Sequence, residues 1–565
     1  MNNNMLKTLA AFFIFGSMTS FAQDQDSTST NDLQEEIKIF KNYIPEISRV
    51  NKKNQQPLFL DSVYIKENLK YQVKKMVLKV DENNHPLSAV DYKKPFEKAF
   101  NSYVLLGYAS KIRPLGEISL SNHPSDKWKY GFYFRHYSED RKDESLFYHD
   151  RSDNKAMLYF DFIDKGMAFK SNVSYQRLVV NIDPSFIQNE KKEINHQIFT
   201  GDFSFEQNDS KQLIQGVHFN IKHGLNNYDA SETQIDFGSK WNVPIGKHKI
   251  SGNLDFITAD HEAEIPSKDG RLSHFQFDPT FYGKEGKLSF QLGINSYYLI
   301  HEMGLSTTEI LLGIDKADEE FMIFPKLYLS YALPEESSVY IGYQGDYSIN
   351  TYIEAMYVSP FISPSKTILP IPSSTVTPVN IYAGLSTKSI HNLDLNVVVS
   401  YKEVERFQYF STSLFGDQTD FRLYLQPNNL DLNIISIEAN AKYTLNKQAS
   451  IEAVMNFNSY NDVPVNTYLP HLPEFILTLI PEYEFNDKLK AFGEIKFISS
   501  HNSLLSVKKD EISSYADINL GASYEVTERL STGLQVRNLL DNKVETYQGY
   551  LSNGFNVFVS ARYKF

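Results

Sequence analysis

The chain contains no cysteine. That excludes disulfide scaffolds, thiolate metal sites and a lipid anchor on a cysteine behind an export signal. Tryptophan is nearly absent, with two among 565 residues. Long apolar runs are missing as well. A membrane-spanning helix needs about 20 consecutive apolar residues, and none follows the N-terminus. Positive charge is outweighed, since 56 Lys and Arg against 69 Asp and Glu leave a net charge of −13. Such a chain lacks the basic surface that a nucleic-acid partner requires. No internal repeat is recognisable, which excludes propellers and solenoids.

Phenylalanine (40) and tyrosine (36) are abundant, yet the mean hydropathy of −0.38 is that of a soluble protein. A transmembrane β-barrel reconciles the two, because its strands alternate apolar and polar residues and the lipid face disappears in an average. The N-terminus reads as an export signal spanning residues 1–22. Lys7 precedes an apolar run from Leu9 to Phe15, and the small residues Ser20 and Ala22 set up cleavage before Gln23. Residues 23–100 are rich in Lys and Glu. They hold a short helix or strand over 35–43, stopped by Pro45, and an extended piece over 69–80. This segment reads as periplasmic or lumen-filling.

From residue 101 to Phe565 the period becomes two. On the last strand Phe555, Val557, Val559, Ala561, Tyr563 and Phe565 share one face. Asn556, Ser560, Arg562 and Lys564 share the other, broken only by Phe558. Ala516, Ile518, Leu520, Ala522, Tyr524 and Val526 repeat the rule, as do Trp128, Tyr130, Phe132 and Phe134. About 22 strands result. Counted from a periplasmic start, alternate connections are tight: 122–126, 164–166, 244–247, 283–286, 333–337, 446–448, 486–488 and 527–529. The intervening ones are long, among them 138–154, 301–320, 351–375 and 410–430. Short periplasmic turns and long extracellular loops are the asymmetry of an outer-membrane barrel. The fold class is therefore all-β, a transmembrane antiparallel barrel of about 22 strands behind a short N-terminal segment. Tyr547 and Tyr550 suggest an interfacial girdle. Tyr563 and Phe565 end the chain as a barrel-closing signal.

The stretch from Leu530 to Tyr550, with Asn538, Leu539, Leu540 and Asp541, together with the 555–565 strand, resembles the end of TonB-dependent receptor barrels. The family element is Asn-Leu-Phe-Asp, so Leu540 stands where Phe is usual. The resemblance implies a 22-stranded receptor barrel over about four-fifths of the chain. Such receptors carry a plug of well over a hundred residues and a TonB box. Only about 80 residues precede the barrel here once the signal is removed, and neither feature is recognisable. Glu36, Ile37, Lys41, Tyr43, Pro45 and Ile47 resemble instead the lead-in of plugless receptor-like barrels of Bacteroidota-type bacteria. Without a plug, TonB has no handle to pull on. A barrel of this size also leaves a wide hole, so residues 23–100, inward-folded loops or another protein must fill it.

Candidate chemistry is sparse. His218 and His223, five apart on one strand, point to opposite faces and share no metal. His248 and His261 read as solvated residues at strand edges or in loops. Asp417 and Asp420 in one long loop, and Asp315, Asp318, Glu319 and Glu320 in another, read as solvated acids, with Ca²⁺ as the alternative at the first group. Glu482, Glu484, Glu494, Lys496, Arg537 and Arg562 read as luminal ion pairs. No Ser/His/Asp or paired-acid pattern supports an enzyme, and no cofactor is called for. The loop 351–375 differs. Tyr352, Met356, Tyr357, Phe361 and Ile362, among four prolines, are too apolar for a freely solvated loop. They mark either a partner surface or a folded-in lid. Three functions follow. The first is a closed scaffold or accessory subunit of an outer-membrane complex, with the barrel-assembly machinery as one candidate partner beside lipid and lipopolysaccharide. The second is uptake of a nutrient or metal complex, and the third is a passive pore.

Overall fold

The computed structural model describes residues 101–565, except 111–112, 123–126, 140–146, 185–191, 208–211, 228–229, 263–268, 304–316, 359–372, 413–424, 465–468, 503–510, 543–544, 548–549 and 552–553. The export signal read at 1–22, the segment 23–100, and Phe361, Ile362, Asp315, Asp417 and Asp420 lie outside the described residues.

Twenty-three strand segments form a closed barrel of 22 staves, because two segments are halves of one stave. The first seven are β1 (Tyr103–Ala109), β2 (Arg113–Ser121), β3 (Trp128–Glu139), β4 (Phe147–Asp164), β5 (Met167–Pro184), β6 (Lys192–Gln207) and β7 (Ile214–Asn226). Next come β8 (Ser231–Ile245), β9 (His248–Glu262), the divided β10 (Gly270–Phe277 and Thr280–Glu285), β11 (Leu288–Met303), β12 (Ala317–Leu333) and β13 (Ser337–Asn350). A short helix, α1 (Tyr352–Val358), precedes β14 (Ser373–Ile390), β15 (Leu393–Thr412), β16 (Leu425–Thr444) and β17 (Ala449–Asn461). The circuit ends with β18 (Phe475–Glu484), β19 (Leu489–Ile498), β20 (Tyr515–Glu525), β21 (Leu530–Arg537) and β22 (Asn556–Lys564). Each stave pairs antiparallel with the next, and β22 returns to β1 with Val104 opposite Tyr563 and Ala109 opposite Phe558.

The period of two places the side chains. On β12, Phe321, Ile323, Leu327, Leu329 and Tyr331 are all exposed on the outer face, whereas Phe324, Tyr328 and Ser330 between them are buried inside. Exposed apolar side chains in this array form a lipid-facing belt. Along β8 the outward face is apolar from Ile245 through Val243, Trp241 and Phe237 to Ile235, apart from Ser239, then polar at Thr233 and Ser231. The belt thus ends below the last residues of the stave. About 9–11 residues cross a bilayer, whereas β15 and β16 run for 20. The surplus stands beyond the belt at the end bearing the long connections.

The turn pattern holds. The two-residue connection Lys165–Gly166 has positive φ at both positions, the conformation that suits the twist of a hairpin. Connections at 208–213 and 391–392 complete the alternation. The long connections are shorter than expected, at 140–146, 304–316 and 413–424. Strand pairing climbs past the belt there, because backbone pairing does not require an apolar outer face.

Two departures from regularity have local causes. Pro279 lacks an N–H, so the ladder of β10 breaks at Asp278–Pro279. Both neighbouring staves carry glycine at the break. A Cβ at Gly252 would lie 2.5 Å from the Asp278 carbonyl oxygen, and one at Gly293 would lie 2.6 Å from that of Pro279. Phe558, the exception on the polar face of β22, is buried over Gly107 of β1, with the Arg537 guanidinium 4.6 Å from its ring centroid. Arg562 lies 3.7 Å from the Tyr103 ring centroid. The closing seam is therefore packed on the inside by aromatic–arginine contacts.

Gly252→Ala should destabilise the barrel by about 1–3 kcal/mol, the typical range for an overpacked site. Gly116→Ala, where an added Cβ meets nothing within 4 Å, should be silent. Heat-modifiable migration and urea titration of the refolded barrel in detergent read the difference.

Candidate functional site

The site begins with a helix that is too short to stand alone. α1 has seven residues, well under the length at which an isolated helix is stable in water. Its first turn is satisfied from two sources. Thr351 caps it, accepting at Oγ1 from the Glu354 N–H at 3.2 Å, in a Thr-x-x-Glu arrangement. The N–H groups of Tyr352 and Ile353 donate to the two carboxylate oxygens of Glu232, at 2.7 and 3.1 Å. Glu232 sits at the loop end of β8, 120 residues away in sequence, and also accepts from the Gln234 amide at 2.8 Å.

The rest of α1 is held by the same wall. The Asn226 amide donates to the Tyr352 phenol oxygen at 2.9 Å, and the phenol shares a 2.7 Å hydrogen bond with His196 Nδ1. Burial holds the Tyr352 hydroxyl above the ordinary tyrosine range, so it remains protonated. Tyr352, Ile353, Ala355 and Met356 pack with Ile198 as one buried cluster. Ile353 lies over Gly224, where a Cβ would come within 2.7 Å of its Cγ1. The Tyr357 hydroxyl donates to Gln176 at 3.0 Å, Gln176 donates to Asp153 at 2.9 Å, and Asp153 pairs with Arg135 at 2.9 Å. α1 thus leaves β13 and anchors on β5 to β8. β6 lies seven staves from β13 in a ring of 22, so the helix packs on the inner wall of staves remote from the one it leaves.

Two further apolar clusters lie inside the barrel. Ala259, Leu272, Tyr297, Leu299, Phe324, Tyr347, Ile349 and Val376 form an apolar cluster on the inner faces of β9 to β14. His274 stands edge-on to Tyr297 and Tyr347 within it, at 5.9 and 5.2 Å. Leu469, in the connection after β17, packs with Val404, Phe407, Leu432, Ile434 and Tyr460. That connection is tied to the next by the His471 N–H donating to the Asn502 carbonyl at 2.9 Å.

Of the residues singled out in the sequence, Tyr352 and Met356 are buried in the mouth and Tyr357 anchors the far end of the helix. Tyr563 and Phe565 lie outward on the closing seam, where the Phe565 N–H donates to the Ser102 carbonyl at 2.9 Å. His218 and His223 face opposite sides, bonded to Asp236 and Thr233 respectively. His261 corrects an expectation of solvation: it is 1% exposed, with its ring 5.6 Å from that of Tyr352. Its place on the inner face, beneath α1, explains the burial. Glu320 pairs with Arg406 at 3.4 Å and Glu319 accepts from Tyr298 at 2.6 Å, so this acidic group is divided between the two faces of β12. Glu484 pairs with Lys490, while Arg537 donates to Gln535 at 2.7 Å instead of to a carboxylate. Among the described residues no group of three or more His, Asp or Glu side chains is arranged to hold a metal ion. Glu232, His196 and Asn226 were not foreseen. Strand parity puts them on the inner face, but nothing local links them to residue 352.

No family model and no curated protein matches the sequence. Among solved structures, the barrel is similar to the copper transporter OprC, at 12% identity over 83% of each chain with a TM-score of 0.63. It is similar to the pyoverdine outer membrane receptor FpvA from Pseudomonas aeruginosa PAO1, at 13% identity over 84% of this chain and 79% of that one, TM-score 0.60. The FrpB iron transporter from Neisseria meningitidis gives 9% identity over 83% and 82%, TM-score 0.63. These likenesses establish the fold: the described part of the chain is a 22-stranded antiparallel barrel of the same architecture as those proteins.

Tyr352→Phe removes two buried hydrogen bonds, and leaving their partners under-satisfied costs about 1–3 kcal/mol. Amide exchange across 352–358 should accelerate roughly tenfold or more, with the staves unchanged. Tyr357→Phe, at a side chain 41% exposed, should have the smaller effect.

Proposed function

We propose that this barrel is an outer-membrane uptake receptor that admits a nutrient or metal complex through a mouth closed at rest by α1. The observation that carries this reading is the separability of the closure. α1 is held by side chains of the wall and not by strand pairing, so it leaves without breaking any ladder between staves. Similar barrels carry the names of a copper transporter, a pyoverdine receptor and an iron transporter, which supports uptake over a passive pore. The scaffold reading has less support. It was drawn from the missing plug and the need to fill the lumen, and the described part of 351–375, a candidate partner surface, is turned inward.

In this proposal residues 1–22 export the chain and are removed, and residues 23–100 gate the lumen from the periplasmic side. The outward belt sits in lipid and lipopolysaccharide, and Tyr563 and Phe565 present the last strand to the assembly machinery. Any envelope partner engages the surfaces left free by the inward loops.

Replacing 352–358 by Gly and Ser should open the mouth. In planar bilayers the full-length variant should conduct where the parent is closed, and cells carrying it should become sensitive to large antibiotics. A variant as tight as the parent in both assays would remove α1 as the gate. A strain lacking the chain should grow poorly on some limiting nutrient or metal, and be rescued by the parent. Unimpaired growth, with a fixed set of envelope proteins co-purifying, would return the scaffold reading.

A further inference from the structure

The seat of α1 carries more recognition chemistry than α1 uses. Glu232 is fully buried and offers both carboxylate oxygens to backbone N–H groups. His196 and Asn226 converge on one phenol oxygen. Ile198 and Gly224 make an apolar floor shaped to a branched side chain. His261 completes the wall at 1% exposure, beside the Tyr352 ring, and neither of its ring nitrogens has a hydrogen-bond partner among the described residues. A buried polar side chain left unsatisfied costs about 1–3 kcal/mol. The present occupant therefore fits the seat incompletely. It is also a seven-residue helix with little stability of its own.

We propose that this seat is a ligand-binding site for a peptide or peptide-derived molecule, one with adjacent amide N–H donors beside a phenol-type hydroxyl. α1 is its internal stand-in, and the ligand displaces it. The inference rests on the uptake reading and names the substrate class for it. The amide donors engage Glu232, the hydroxyl engages His196 and Asn226, and an apolar side chain settles over Gly224. His261 offers a further polar contact that α1 leaves unused. Displacement couples binding to opening, because the groups that hold the lid are the groups that hold the ligand. An internal occupant lowers the apparent affinity for any competitor by the fraction of time the seat is empty. A lid seated about 99% of the time weakens binding roughly a hundredfold.

The probe is an acetylated, fluorescein-labelled peptide of sequence Thr-Tyr-Ile-Glu-Ala-Met-Tyr-Val, matching residues 351–358. Anisotropy is measured on the full-length chain in mild detergent. The Gly/Ser variant of 352–358 should bind the peptide at least tenfold more tightly than the parent. Adding Glu232→Gln to that variant should weaken binding about tenfold, as should a peptide with Phe in place of its first Tyr. Heat-modifiable migration confirms that each variant is folded. No binding by a folded Gly/Ser variant would overturn the proposal, as would equal binding to parent and variant that ignores Glu232→Gln. A variant that conducts without binding the peptide removes this site and leaves the uptake reading standing. One that neither conducts nor binds removes both.

Discussion

Everything in this molecule depends on a closed hydrogen-bond ladder. In hydrocarbon no water is available to an unpaired N–H or C=O, so an open sheet edge costs several kcal/mol per group. The seam has a narrow margin, since β1 contributes only seven residues. All seven pair with β22, and Ser102 and Phe565 extend the ladder by reciprocal backbone bonds. Inside, Phe558 over Gly107 and Arg562 over Tyr103 cover the same joint. With the wall complete in itself, the chain beyond the apolar belt is free to do something else.

What it does is fold inward. β15 and β16 run to 20 residues, and β5 to β8, which seat α1, to between 13 and 18, which lifts their ends above the belt and gives the loops an inner wall to pack against. α1 exploits that wall through both kinds of contact. Its apolar face supplies most of the burial energy, at about 1.5–3 kcal/mol for each large side chain. The polar contacts fix its position. A buried carboxylate at Glu232 is tolerable because two backbone N–H groups and the Gln234 amide replace its hydration. Such a closure is stable yet local. Releasing it costs one helix and not the barrel.

The wall was largely legible in the sequence, and the reason is periodicity. Residues 516–526 around β20 alternate strictly, and 555–565 around β22 do so but for Phe558, because one face meets lipid and the other does not. Turn dipeptides such as Lys165–Gly166 punctuate them. The exceptions were legible as exceptions only. Phe558 stood out on a polar face, but its partner Gly107 lies more than 400 residues away on the first stave. The break at Pro279 was not foreseen, nor were the two glycines on the neighbouring staves that admit it. His261 looked solvated because its position near a strand end suggested a rim, and the helix that covers it comes from a distant loop.

The sequence by itself determined the class of fold, the number of staves, the alternation of short and long connections, and the unusual character of the segment around Tyr352. These are consequences of local physics: a side-chain period of two, turn conformations, and an apolar stripe that must meet lipid. Only the tertiary structure decided where that segment goes. Helix α1 reaches Glu232, His196 and Asn226 across separations of more than a hundred residues. Closing the sheet into a ring is what brings their staves within reach of the mouth. No local pattern encodes such a meeting. It follows from the circumference of the barrel and the height of its wall.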